Sequence, residues 1–305
     1  MTATWQPPPG FSSWDRLAWA AVGRGRAPLG SQAPPGSPLG RSEWDEVYVP
    51  LAHVIGLHLD AKLTLDRHLA AAGIRGAGGG PFVIGLAGSV AAGKSTCAQA
   101  LAALLSARTD RLSVEVVSTD GFLLPNAVLG PRNLVMRKGF PESYDHELIA
   151  ETLGRLATGE GGVAIPRYSH DVYDIAGPAQ ILGRPDVIIV EGVNALGYGH
   201  PGASVEIADY CALGIYLDAD ESSLRRWYTD RFAALVDEAR DDSTSFYARW
   251  ADQSDEEVRL AAASVWEAVN LVNLTDWILP TRWRADLVLR KGADHAVQAV
   301  AVRSR

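Results

Sequence analysis

The 305-residue chain holds only two cysteines, Cys97 and Cys211, far apart and in no Cys-x-x-Cys or Cys/His spacing. That argues against a disulfide framework and a structural zinc site. Positive charge is also in short supply: 28 Lys and Arg stand against 36 Asp and Glu, a net charge of −8. Such a chain lacks the global field that holds nucleic acid or an anionic lipid surface, so neither is expected as a partner; a local basic pocket for a phosphorylated small molecule is compatible with it. No stretch approaches the roughly 20 apolar residues that span a bilayer. Met1 to Gly10 has no basic stretch and no long apolar run, so no secretory signal is expected, and a reduced cytoplasm is the expected compartment. What is present is globular material, 47% hydrophobic and 21% charged, enough for a sizeable core.

Nine of the eighteen residues from Gly23 to Gly40 are Gly or Pro, which cannot sustain a helix or a central strand. The segment before them, Phe11 to Ala21 with Trp14 and Trp19, reads as a short amphipathic helix. Residues 1–42 are therefore expected to form an N-terminal helix and a mobile connector, and residues 43–305 a single domain. Glu43 to Ala72 has a helical pattern, and the glycines from Gly73 to Gly80 read as a linker, because no strand precedes them. From Pro81 onward, short aliphatic runs alternate with helical stretches. Phe82–Ala87, Val114–Ser118, Asp186–Val190 and Leu213–Leu217 read as buried strands. Ser95–Ser106, His146–Ala157, Glu221–Ala239 and Asp255–Asn270 read as helices, and Leu287–Leu289 and Val297–Val302 as edge strands. The alternation predicts an α/β fold, a mostly parallel sheet flanked by helices with ligands at the carboxyl ends of the strands.

One local motif carries chemistry by itself. Gly88-Ser89-Val90-Ala91-Ala92-Gly93-Lys94-Ser95 fits G-x-x-x-x-G-K-[ST] and lies between a predicted strand and a predicted helix, the context that identifies a P-loop. Glycines let successive N–H groups converge on phosphate oxygens at a helix N-terminus. Lys94 adds charge for the outer phosphates, and Ser95 can place its hydroxyl on Mg²⁺.

Other candidates are weaker alone. The run Asp186 to Val190 ends at Glu191-Gly192, as in a Walker B strand whose acid helps hold Mg²⁺, although many buried strands end in an acid. Asp120 follows the strand Val114–Ser118 and sits where a cleft should open; it can orient an attacking hydroxyl or merely cap a turn. Tyr228, Arg231 and Phe232 share a helix face, and Arg231 can neutralise charge on a transferring phosphoryl group or stand solvated. By residue type alone His170, Asn270, Asn273 and His295 have ordinary roles as local hydrogen-bonding or capping groups.

The longer strings are more selective. Ser-Thr-Asp-Gly-Phe-Leu-Leu-Pro-Asn (118–126), Lys-Gly-Phe-Pro-Glu-Ser-Tyr-Asp (138–145), Tyr-Ser-His-Asp-Val-Tyr-Asp (168–174), Trp-Tyr-Thr-Asp-Arg-Phe (227–232) and Asn-Leu-Thr-Asp-Trp-Ile-Leu-Pro-Thr-Arg (273–282) resemble the type I, bacterial pantothenate kinases. The similarity runs in the same order from about Trp14 to Val302. It implies a homodimer with a P-loop kinase fold that phosphorylates the primary hydroxyl of pantothenate with ATP and Mg²⁺, the first step of coenzyme A synthesis. By the resemblance, Gly88 to Thr96 hold the nucleotide phosphates, with Lys94 on the phosphates and Ser95 and Glu191 on the metal. Asp120 is similar to the catalytic carboxylate and Arg231 to the phosphate-stabilising arginine. Tyr168, His170, Tyr228 and Asn270 match pantothenate contacts, Lys138 falls in the phosphate-side loop, and Lys291 with His295 matches the adenine side.

The chain departs from the family at two places. Five residues after the P-loop lysine the family carries an arginine that helps bind coenzyme A as a feedback inhibitor; here Gln99 stands there, which cannot supply the charge. After Arg231 the family's aromatic lining is replaced by Ala233 to Arg240, with aromatics returning at Phe246-Tyr247. A pocket containing Leu235 and Arg240 implies a changed shape and polarity, so the alternatives are a P-loop kinase of another small hydroxylated metabolite, a pantothenate analogue or a uridine-kinase-like substrate, and a non-catalytic nucleotide-binding regulator.

Overall fold

A computed structural model describes residues 5–22, 33, 37–74, 80–108, 110–197 and 205–304. Most of the expected Gly23–Gly40 connector and the centre of the Gly73–Gly80 linker lie outside these residues.

The described residues form eleven strands: β1 Phe11–Asp15, β2 Phe82–Gly88, β3 Val114–Ser118, β4 Val163–Ile165, β5 Tyr168–Ser169, β6 Asp174–Ile175, β7 Gln180–Leu182, β8 Val187–Glu191, β9 Leu213–Asp218, β10 Leu287–Lys291 and β11 Val297–Arg303. Seven of them make the central sheet, in the order β1-β11-β10-β9-β2-β8-β3. The five from β10 to β3 are mutually parallel, and β11 and β1 add antiparallel pairs at one side. This is the mostly parallel sheet expected from the alternating pattern, and it agrees with the P-loop kinase fold that the resemblance implies. β4 pairs with β7 and β5 with β6 in two small ribbons beside the β3 edge.

The continuous aliphatic runs arise because both faces of the sheet are covered. Phe82, Ile84, Leu86, Val187 and Ile189 pack with Leu51 and Ile55 of the helix Val49–Ala71 and with Leu101, Leu104 and Leu105 of the helix Lys94–Ser106. Val83, Ile188 and Val190 face the opposite way, against Ile149, Leu153 and Leu156 of the helix His146–Ala157. Period-two alternation thus splits β2 and β8 between two cores.

Two expectations change. Phe11 to Ala21 is not one helix: Phe11–Asp15 is the outermost strand, paired residue by residue with β11, and only Arg16–Ala20 is helical, capped by the Asp15 carboxylate accepting from the Ala18 N–H at 2.8 Å. Burial of Phe11 and Trp19 suits either conformation; the unpaired backbone edge of β11 decides for the strand. Leu287–Leu289 and Val297–Val302 are likewise no edges, since β10 lies between β9 and β11, and β11 between β10 and β1. The helix expected over Asp255–Asn270 is regular from Asp255 to Val265 and continues through a wider turn at Trp266–Asn270.

Candidate active site

Because β10, β9, β2, β8 and β3 run parallel and adjacent, their carboxyl ends form one edge, where an open α/β sheet receives ligands. Along this edge the chain presents Lys291, Asp218, the P-loop after Gly88, Glu191 and, just past Ser118, Asp120.

The P-loop has the expected local form. Gly93 takes φ +89° and Ala91 φ +58°, left-handed values that turn the chain sharply before the helix begins at Lys94. A Cβ on Gly93 would lie 2.9 Å from the Lys291 ammonium nitrogen. Lys94 Nζ donates to the Ser89 carbonyl at 2.9 Å, and Ser95 Oγ donates to Glu191 Oε1 at 3.0 Å. The buried Ser89 hydroxyl has no partner among the described residues.

Four charged groups share one field. Desolvation lowers the Lys94 pKa, while Glu191 and Asp120 pull it up and Arg231 pushes it down. Desolvation raises the Glu191 carboxyl, opposed by Lys94 and reinforced by Asp120. The cluster of two acids and two bases is therefore assembled from β8, the turn after β3, the P-loop and the helix Glu221–Glu238. Arg231 is exposed and forms no salt bridge among the described residues, so its guanidinium is available to an anion.

Asp120 sits on a single 3₁₀ turn, Thr119–Phe122, that packs closely against the chain entering β5: a Cβ on Gly121 would stand 2.2 Å from the Pro166 carbonyl oxygen. This contact places Asp120, Tyr168, His170, Glu191, Arg167 and Gln180 around a cleft of about 240 Å³. Tyr168 and His170 meet edge to face at 5.3 Å. The His170 pKa is lowered, first by desolvation, with Asp120 opposing and Arg231 assisting. Burial raises the Tyr228 pKa to about 12, with the Asn270 side chain opposing, and its ring tilts against Trp266 at 5.8 Å.

The other expected residues fall on either side. Lys138 lies with the tyrosines: its ammonium donates to Tyr168 Oη at 3.4 Å and to the Tyr173 carbonyl, and stands 4.3 Å from the Tyr173 ring centroid. Burial lowers its pKa to about 8, with Asp174 and Asp120 opposing. His295 stacks on Trp227 at 3.8 Å, and Lys291 lies 5.8 Å from the same indole, on the β10 side of the loop.

Tyr247 is a site residue that had no assigned role. It packs edge to face on Phe232 at 5.6 Å and acts electrostatically on Tyr168, Tyr173 and Tyr228, with Arg231 acting on it in turn. Its signal was the return of aromatics at Phe246-Tyr247. Arg167 and Gln180 had no sequence signal, because only the β4–β7 and β5–β6 ribbons bring them to the cleft. Arg240 is corrected: its guanidinium is bound to Asp237, Asp255 and the Ala251 and Gln253 carbonyls, so it pins a turn and does not set pocket polarity. Gln99 is exposed on the P-loop helix.

Ser95 and Glu191 form an oxygen pair suited to a Mg²⁺ that keeps water and phosphate ligands. When bound, the ion would neutralise phosphate charge there.

Comparison with known proteins agrees with the P-loop and the fold. The family model of the phosphoribulokinase/uridine kinase family matches residues 83–227. A pantothenate kinase of Sorangium cellulosum is 47% identical over 258 residues, 84% of each chain. One of Rhodopseudomonas palustris is 46% identical over 270 residues, 86% of this chain and 84% of that one. Among solved structures, D-glycerate 3-kinase from Cryptococcus neoformans, 13% identical, superposes with a TM-score of 0.53 over 81% of this chain and 97% of that one, a likeness of fold.

Proposed function

The chain belongs to the pantothenate kinase family, and from that membership we propose that it transfers the γ-phosphoryl group of ATP to the primary hydroxyl of pantothenate, giving 4′-phosphopantothenate for coenzyme A synthesis. The observation that carries the reading is the shared field of Lys94, Glu191, Asp120 and Arg231 beside a cleft walled by Tyr168 and His170. The P-loop amides and Lys94 hold the phosphates, and Ser95 and Glu191 hold the magnesium. Asp120 aligns the acceptor hydroxyl and takes up its proton; Arg231 spreads the charge that develops on the transferring group. Tyr168, His170, Tyr228 and Asn270 hold the acceptor, Lys138 supports its tyrosine wall, and His295 lies on the base side.

The proposal extends to a cytoplasmic homodimer with weakened coenzyme A feedback, since Gln99 offers no charge to a phosphate. A close pantothenate analogue is the second acceptor reading, supported by the sequence from Ala233 to Arg240, which lacks the aromatic residues of the family. A coupled ADP-release assay with MgATP and pantothenate tests the first reading. Turnover with pantothenate is expected, little changed by added coenzyme A; ADP release only with an analogue would move the acceptor to the second reading.

A further inference from the structure

The geometry points to Lys291 as a positioning residue of the P-loop, a lysine that fixes the phosphate cradle from behind by holding the Ala92 carbonyl, rather than as a contact to the base. This deepens the nucleotide-site reading above and rests on it.

Three observations converge. Lys291 is 93% buried, exposing 7% of its surface, and its ammonium donates to the Ala92 carbonyl oxygen at 3.0 Å. It comes from β10, two strands from the P-loop strand, and the β10–β11 pairing slips between Arg290 and Lys291: Arg290 faces Ala299 and Lys291 faces Val297. A slip of this kind re-aims a side chain, and here it coincides with a lysine that reaches the loop. Thirdly, a Cβ on Gly93 would come within 2.9 Å of that ammonium nitrogen, so the cradle's second glycine leaves room for Lys291 as well as for its own turn.

The chemistry explains why a cation is useful there. A loop whose N–H groups converge inward must turn carbonyls outward, and a buried carbonyl without a donor is costly. Lys291 satisfies Ala92 with a charge-assisted bond, and the positive charge adds to the field that a polyphosphate meets. Burial weakens the charged form, while Cys97, Glu43 and Asp294 support it. Glu43 also accepts from the Val297 N–H at 3.1 Å, tying Lys291's register partner to the helical start at Arg41–Glu43.

The test separates phosphate from base. In the full chain, Lys291→Met and Lys291→Gln are compared with the wild type for binding of MgADP, of inorganic tripolyphosphate, which has no base, and of adenosine, by calorimetry. Lys291→Met is expected to weaken MgADP and tripolyphosphate alike, by about tenfold, the loss of one charge-assisted hydrogen bond, while adenosine binding stays the same. Lys291→Gln, which keeps a neutral donor, is expected to recover part of the loss. Unchanged tripolyphosphate binding together with weakened adenosine binding would overturn the proposal and return Lys291 to the base. Should Lys291→Met fail to fold in a thermal melt, the same two outcomes are read from Lys291→Gln. No acceptor is present, so the result does not depend on whether pantothenate is the substrate.

Discussion

At the residue scale the site is a set of charges whose environments push them in different directions. Asp120 has a partly open position beside a cleft, whereas Glu191 is buried and hydrogen-bonded to Ser95, which suits the first to a moving substrate hydroxyl and the second to a fixed ion. Asp120→Asn keeps the shape and removes the proton acceptor. A fall in kcat of about 10²–10⁴ with little change in KM for ATP is expected from steady-state ADP release; a near-normal kcat would sink the assignment. Lys138 yields a pH prediction. Its amine loses its proton near pH 8 in the folded chain, and with it the charge that faces the Tyr168 and Tyr173 rings. The KM for the acceptor should therefore rise as pH passes about 8, and Lys138→Arg, which stays charged, should lack this alkaline limb. The linked stability runs the other way. The unfolded chain keeps the proton up to about 10.5, so between the two values the unfolded state binds more protons and this group's contribution favours folding increasingly as pH rises.

At the scale of elements, small contacts hold large pieces in position. The Thr119–Phe122 turn and the chain entering β5 approach so closely that only a glycine fits at 121. Gly121→Ala should separate them, lowering stability by about 1–3 kcal/mol in urea unfolding and reducing kcat, because Asp120 moves with its turn. Arg240 sits on the other side of this logic. It bridges the end of the helix Glu221–Glu238 to residues 251–255 without touching the acceptor cleft, so Arg240→Ala should leave kcat and both KM values within about twofold while the urea midpoint falls. A large change in acceptor KM would return Arg240 to the pocket wall. The aromatic group of Phe232, Phe246, Tyr247 and Trp250, with ring centres 4.9–6.2 Å apart, occupies the flank where polarity was expected.

Across the whole molecule, the sheet is built outward from five parallel strands and finished at one side by the N-terminal strand. β1 covers the backbone edge of β11 along Phe11–Asp15. Removing residues 1–15 would expose the β11 edge and the apolar residues packed under Phe11 and Trp14. The truncated chain is expected to melt at a lower temperature and to scatter light on standing, as an uncovered edge does. Unchanged melting and a clear solution would mean that β1 contributes little.

Residues whose conformation is set by near neighbours were legible from the chain alone. The P-loop is a local run of φ angles and amides, the buried strands are short aliphatic runs, and Asp120, Glu191 and Arg231 could be placed at strand ends or on a helix face. The strand Phe11–Asp15 differs from the helix expected over Phe11 to Ala21 because Trp14 and Trp19 fit a helix stripe, and only the backbone edge of β11, nearly 290 residues away, makes Trp14 part of a strand. Lys138 and Lys291 take their expected roles from the resemblance, but a lysine's long arm takes its direction from whatever surface it meets. Sequence by itself therefore determined the elements and the phosphate loop, where short-range backbone geometry rules. Only the tertiary structure decided the strand order, the packing of Tyr247 on Phe232 and the bond from Lys291 to Ala92, because these depend on register and burial between segments that share no local signal.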